Sequence, residues 1–428
     1  MNPLSYASAT TLARLIRGKE VSSEEVVRAH LERIAEVNPR INAVVQLAGA
    51  ALSQARAADL ALARGEAPSP LHGVPFTVKD IFDTAGIVSA AGLESRRGFV
   101  PKQDARAVSR LKSAGAILLG KTNCPPGGGG GESSNPVYGQ TNNPYALGRT
   151  PGGSSGGEAA ILAAGGSPLG LGSDSGGSLR LPAHFCGVAT LRPTVGRVPN
   201  TGTLYLPGGL SDPRSQIGPM ARTVADLRLA FPLLAGIDWH DSGVIPMPVS
   251  DPLAVELKGL RAAFYTDDGI LPPTPATAET VRAAARALGA TGMVVEEQRL
   301  PGVETSYEIT TRYWRQAELN GAEIERLMTD WDHFRTTALA FMETRDVIVC
   351  PVCWAPAVPH GAVRLMDFSY TVPYSLTGWP SVVVRAGASP EGLPIGVQIT
   401  ARPWREDVAL AVAQHIETEL GGWQAPPL

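Results

Sequence analysis

Three short segments hold the residues whose types and spacing point to chemistry. The loop GSDSGGS, residues 172–178, packs three serines, three glycines and one acid ahead of Leu179 and Arg180. Glycine gives up more conformational freedom on folding than any other residue, so such a run weakens local order unless the backbone must turn sharply or come close to a ligand. A serine presented there can attack a carbonyl once a base takes its proton. Upstream, GGSSG at 152–156 sets Ser154 and Ser155 in a second small-residue loop, with Ser154 24 positions before Ser178. In the third segment, FTVKDIF, Lys79 ends an apolar run. Lysine is among the residues least often buried, so its place in an apolar run is informative. Taken alone, the segment reads first as an edge-of-sheet lysine paired with Asp80 or Asp83.

Other motifs compete for the same residues. GAILLGKT, residues 115–122, matches the phosphate-loop spacing of two glycines, Lys121 and Thr122. A phosphate loop turns after a strand and opens a helix at the lysine. Here Ala116, Ile117, Leu118 and Leu119 read as the strand itself, and the prolines of NCPP make a poor helix opening. GGSSG also fits the G-x-S-x-G elbow, with Ser154 as nucleophile. EAAILAAG supplies the helix that an elbow needs, but NPYALGRTP before it is no strand. A Ser-His-Asp esterase of the α/β-hydrolase type also needs a later histidine, and His184, His240, His333, His360 and His415 are all available without a distinctive setting. That esterase stands as the alternative. CPVC, from Cys350 to Cys353, has redox or metal spacing but no second Cys or His pair near it, so it reads as structural.

The elements that position these loops read as mixed α/β. Ser22 and Glu25 form a capping box ahead of Val27, Leu31 and Ile34 at helical spacing. A second helix is expected in ATAETVRAAARALGA, where Val281, Ala285 and Leu288 share a face. GVPFTV, GAILLG, DVIVCP and SVVVRAG are short apolar runs bounded by Gly or Pro, as buried strands are. Strands alternating with helices predict a largely parallel sheet covered on both faces. Residues 236–276 are rich in Pro and Gly and read either as a linker or as surface loops.

Composition narrows the partners. The 428 residues carry 37 Lys and Arg against 40 Asp and Glu, a net charge of −3, so nucleic acid is not expected. The start MNPLSYASATT lacks a basic and then apolar leader, and no uncharged run approaches the roughly 20 residues of a membrane span. A cytoplasmic protein with no membrane partner is the expectation. Four cysteines in so long a chain do not make a disulfide framework.

Three segments together, GVPFTVKDIFDTAG, GKTNCP and NPYALGRTPGGSSGGEAAILAAGGSPLGLGSDSGGSLRLPAHFCGVATLRPTVGRV, strongly resemble the amidase signature family in order and spacing. The match is close over roughly residues 70–230 and weaker at 265–275 and 370–410. The Gly/Ser block looks more like fatty acid amide hydrolase and stand-alone bacterial amidases than like the amidase subunit of a tRNA-dependent amidotransferase, which remains a further alternative.

The resemblance implies one large α/β domain over residues 1–428, a mixed central β-sheet covered by α-helices on both faces. It implies a Ser/cis-Ser/Lys triad that forms an acyl-enzyme, the lysine falling on Lys79, the cis-serine on Ser154 and the nucleophile on Ser178. The backbone amides of Ser175, Gly176, Gly177 and Ser178 then form the oxyanion hole. Ser155 supports the network, unless it simply caps the next helix, and Asp174 with Arg180 holds the loop. No metal or organic cofactor is implied. Many relatives carry an acid after the first proline of the loop that lines the acyl side of the pocket, with bulkier residues next. Here CPPGGGGGESS brings Pro126 and five glycines, so Gly127, Gly128 and Gly129 predict a low pocket wall open to bulky acyl groups. The variable region 236–345 offers Tyr307, Tyr313, Trp314, Trp331 and Phe334 as core or as pocket wall. The expected substrate is a small amide, aryl or otherwise bulky and apolar, with carbamates and esters open to the same chemistry. The expected assembly is a monomer or homodimer.

Overall fold

The computed structural model describes residues 2–204 and 214–428. Its strands are β1 (Val44–Leu47), β2 (Pro75–Lys79), β3 (Ile117–Thr122), β4 (Ser134–Asn135), β5 (Gly139–Gln140), β6 (Leu169–Asp174), β7 (Ala189–Arg192), β8 (Gln216–Ala221), β9 (Arg261–Phe264), β10 (Val294–Glu297), β11 (Val347–Pro351), β12 (Ser381–Ala388) and β13 (Pro394–Ala401). Apart from the small pair β4–β5, they join one eleven-stranded sheet in the order β1-β3-β2-β6-β8-β7-β12-β13-β11-β9-β10.

The sheet is mixed, and less parallel than strand–helix alternation predicts. β2 runs parallel to β3 and β6, and β9 to β10 and β11. The other neighbours in the sheet are antiparallel. Parallel neighbours need a long crossover, whereas β12 returns as β13 through a short turn, which antiparallel pairing permits. Residues 236–276 are not a linker either. They contain β9, which pairs with β10 and β11 inside the common sheet, so the chain is a single domain.

Alternation along the strands builds a core on each face. Phe76 and Val78 of β2 enter one core with Leu118, Leu171 and Ile217. Thr77 and Lys79 face the other way, toward the helix Gly156–Ala163, whose Ala159, Ile161 and Leu162 pack with Ile117 and Leu119. The expected capping box is present: Ser22 accepts from Glu25 N–H and Glu25 reaches back to Ser22, opening the helix Ser23–Ile41 with Val27 and Ile34 buried. The helix Pro275–Ala290 buries Val281, Ala285 and Leu288 as its periodicity predicts. Among the described residues no helix is long and apolar enough to cross a membrane.

Candidate active site

Lys79 is the last residue of β2, an interior strand between β3 and β6, and it is fully buried. It is not the edge lysine that its segment alone allowed. Asp80 faces Lys121 at 3.4 Å and Asp83 faces Arg96 at 3.1 Å, while Lys79 Nζ donates to Ser154 Oγ at 2.6 Å and to Ser173 Oγ at 3.0 Å. Burial pulls the Lys79 ammonium down to about 8, against the opposing pull of the Asp174 carboxylate. A lysine in that state is neutral in a useful fraction near pH 8 and can take a proton. The same geometry disposes of the phosphate loop: Ile117–Thr122 is a strand, and Lys121 is spent on Phe82 O, Ser89 and Asp80.

The peptide bond between Gly153 and Ser154 is cis, as the resemblance implies. A Cβ on Gly153 would lie 2.7 Å from Gly131 C and Glu132 N, so the serine loop and the glycine run are packed backbone to backbone and only glycine fits. Ser155 joins the two serine loops. Its N–H donates to Ser178 O at 3.1 Å, and its Oγ donates to Ser173 O at 3.3 Å. It does not cap the following helix through its side chain; Gly156 N–H donates to Ser133 Oγ instead.

Asp174 and Arg180 hold the loop between them. Asp174 accepts from the N–H groups of Gly177 at 2.8 Å and Leu179 at 3.1 Å, and Arg180 Nη2 reaches it at 2.9 Å. Arg192 adds a second guanidinium at 3.4 Å. Burial alone would raise the Asp174 carboxyl; the charge and hydrogen bonds of Arg180, then Arg192 and Leu179 N–H, outweigh it and hold the group at about 2. Arg180 also donates to Thr371 O, Gln398 Oε1 and Ser375 Oγ, so its fork is occupied within the protein.

A cavity of about 520 Å³ opens over these loops, lined by Ser154, Ser173, Ser175, Gly176 and Ser178 on one side. Glycines 128–131 line a second side, and Arg214, Tyr313, Trp314, Gln316, Val363, Arg364, Leu365 and Phe368 complete it.

Two expectations are corrected here. Gly177, at φ 142°, is not part of the lining and its N–H is committed to Asp174, which narrows the expected oxyanion donors to Ser175, Gly176 and Ser178. Gly127 also lies off the cavity, with its N–H on Ala91 O, so the glycine wall is 128–131 rather than 127–129.

The aromatic set divides. Trp314 is wall, Tyr313 lines the cavity from the same buried core that holds Trp331 and Phe334, and Tyr307 packs on the cluster of Leu181 and Phe185. Nor does the Ser-His-Asp reading find its base, since no lining residue is a histidine and Ser154 is bonded to a lysine. His184 is buried between the carbonyls of Ala355 and Gly396. Cys350 packs against Tyr374 OH and Gln398, and Cys353 sits in an apolar cluster.

Sequence reasoning missed Ser173, Glu158 and Phe368. Ser173 sits beside the acid in the same loop. Glu158 is one acid inside the apolar run EAAILAAG, the same signal of a charged residue among apolar ones that drew attention to Lys79.

A mixed sheet carrying a buried lysine against a serine at a Gly/Ser-lined cavity defines a class of serine hydrolase, and comparison with known proteins gives the family. The Amidase family model matches residues 25–332 and 312–410, and the chain belongs to the amidase signature family, hydrolases acting on carbon–nitrogen bonds. It is similar to a glutamyl-tRNA(Gln) amidotransferase subunit of Chloroflexus aggregans, 34% identical over 96% of each chain. It is equally similar to fatty-acid amide hydrolase 2-B of Danio rerio, 34% identical over 99% of this chain and 91% of that one. Among solved structures, 6-aminohexanoate cyclic dimer hydrolase complexed with substrate superposes with a TM-score of 0.87 at 26% identity, covering 99% of both chains.

Proposed function

We propose that this serine amidohydrolase works through Ser178, Ser154 and Lys79, and that its substrates are bulky, apolar amides such as anilides. The observation that carries the reading is Lys79 Nζ, buried and 2.6 Å from Ser154 Oγ, in a cavity that Ser178 also lines. Ser178 Oγ attacks the carbonyl carbon while its proton passes to Ser154 Oγ, whose own proton goes to neutral Lys79. Backbone N–H groups of Ser175, Gly176 and Ser178 receive the oxyanion; one such donor is worth about 3–4 kcal/mol. Collapse breaks the C–N bond, and the leaving nitrogen takes a proton back through Ser154 from the Lys79 ammonium. Water then repeats the path on the acyl-enzyme. Esters and carbamates can enter the same sequence, since each presents a carbonyl with a departing heteroatom.

The test is hydrolysis of a matched panel, a 4-nitroanilide, an aliphatic amide, an ester and an aryl carbamate, by wild type and the three alanine variants. A wild type that turns over acetamide far better than aryl amides would sink the substrate reading. Because Lys79 must be neutral, kcat/KM should climb with pH through about 8 and level off above it. A rate–pH profile flat from 6 to 9 contradicts that.

The low wall has its own expected outcome. Gly129 has extended backbone angles, φ −99° and ψ 112°, and a Cβ there meets nothing closer than 3.9 Å, so Gly129→Leu folds normally. Its side chain narrows the cavity and should lower kcat/KM for the anilide by roughly tenfold more than for acetamide, as steady-state kinetics on both will show.

Similarity to proteins named as subunits of an amidotransferase favours a second reading, in which the chain supplies the amidase activity of a larger assembly. Co-purification of a second protein chain, with amide hydrolysis that depends on it, would select that reading over a stand-alone monomer or homodimer.

A further inference from the structure

Glu158 has no part in the triad, yet it is fully buried and lies on the helix Gly156–Ala163, which begins two residues after Ser154. Its carboxyl accepts from Thr77 Oγ1 on one oxygen and from Thr122 Oγ1, at 2.8 Å, on the other. These two threonines bracket Lys79. Thr77 stands two residues before it on β2, on the same face of the strand, and Thr122 is its partner across the ladder to β3. On the other neighbouring strand, β6, Gly170 pairs with Thr77, and a Cβ at that position would collide with Glu158 Oε1. Three strands therefore form a fitted seat for one carboxyl group. No cation hydrogen-bonds to it among the described residues.

We propose that Glu158 is a positioning residue for Lys79: it clamps β2, which carries the lysine, and its neighbour β3 to the helix that follows Ser154, and the charge on its carboxyl controls how readily the lysine acts as a base. The proposal rests on Lys79 being that base.

Burial pushes the Glu158 carboxyl up to about 8 against its two threonine bonds, so it takes on its charge across that pH. Lys79 loses its proton over the same range. The carboxyl sits on Thr77 and Thr122, the strand and ladder neighbours of Lys79, and an anion so placed in a poorly solvated interior favours the protonated lysine. The other groups near Lys79 do not mask this. Asp174 is matched by Arg180 and Arg192, and the Cys124 thiol is raised by burial to about 12 and stays uncharged. Lys121 and Asp80, each one residue out of phase with Thr122 and Lys79, pair with each other on the opposite face.

Glu158→Gln keeps the shape and removes the charge; its amide oxygen still accepts from one threonine and its NH2 donates to the hydroxyl oxygen of the other. In the full-length enzyme the acid limb of kcat/KM for a 4-nitroanilide should move down by about one pH unit, with KM little changed. A brace without electrostatic effect would lower the melting temperature and leave the limb in place, and that result overturns the proposal. Thr122→Val takes one hydroxyl donor from the carboxylate and should shift the limb in the same direction by less; it covers the case in which the glutamine variant does not fold, and an unmoved limb there is equally fatal. Lys79→Ala is run alongside. Should it retain activity, the assignment of the base has failed, whatever Glu158→Gln does.

Discussion

Ser178→Ala and Lys79→Ala should each lower kcat for a 4-nitroanilide by at least about 10³-fold, and the double variant should fall little further. The reason is that nucleophile and base act as a unit: without the Ser178 hydroxyl there is no acyl-enzyme, and without Lys79 the proton that Ser154 receives has nowhere to go. Lys79 Nζ has Ser154 Oγ and Ser173 Oγ as its hydrogen-bond partners, and among the described residues no carboxylate bonds to it that could serve as a substitute base. Ser154→Ala should cost less than either, since it removes a relay and not the nucleophile. Single-turnover kinetics and labelling by a fluorophosphonate separate the roles, because the probe should react with Ser178 and be lost in Ser178→Ala. If Ser154→Ala alone is dead while Lys79→Ala stays active, an elbow-serine mechanism replaces this one.

Asp174→Ala is the change expected to cost most in stability. It leaves Arg180 and Arg192, both fully buried, without the carboxylate that they face, and it releases the N–H groups of Gly177 and Leu179. Removing one partner from a buried ion pair typically costs about 3–5 kcal/mol, since the charge left behind cannot be solvated. Chemical denaturation of the variant should show a loss of that order, and Arg180→Ala a comparable one. A loss below about 1 kcal/mol in both would mean that the loop is held by packing alone.

The pH dependence of this contribution follows from the direction of the shift. Asp174 lies below its ordinary value of 3.8, at about 2, so its stabilisation is complete above pH 4 or so and is lost as pH falls toward 2. In the same range Asp174→Asn should be less sensitive to acid than wild type.

Much of the site was legible before any fold was known, because it is written in residue types that are costly anywhere else. Glycine runs at 152–157 and 172–177 weaken a chain unless the backbone must pack closely, and a lysine ending an apolar strand is hard to explain without a partner. The capping box at Ser22 and the strands around Phe76 and Val383 follow from local periodicity alone. Local pattern failed where direction or distance in space decides. Strand–helix alternation said nothing of which neighbours run antiparallel, and the Pro-rich stretch before β9 looked like a boundary because its pairing partners, β10 and β11, lie further along the chain.

The sequence by itself determined the family and, through it, which serines, which lysine and which small residues to propose for the chemistry, since close backbone approach restricts residue type directly. Only the tertiary structure decided that the Gly177 N–H is turned to Asp174, that the glycine wall runs from 128 to 131, and that Ser173 and Glu158 belong to the surroundings of Lys79. These depend on which groups meet across strands and loops far apart in the chain. Burial, hydrogen-bond direction and proton affinity are properties of that meeting, and no residue carries them alone.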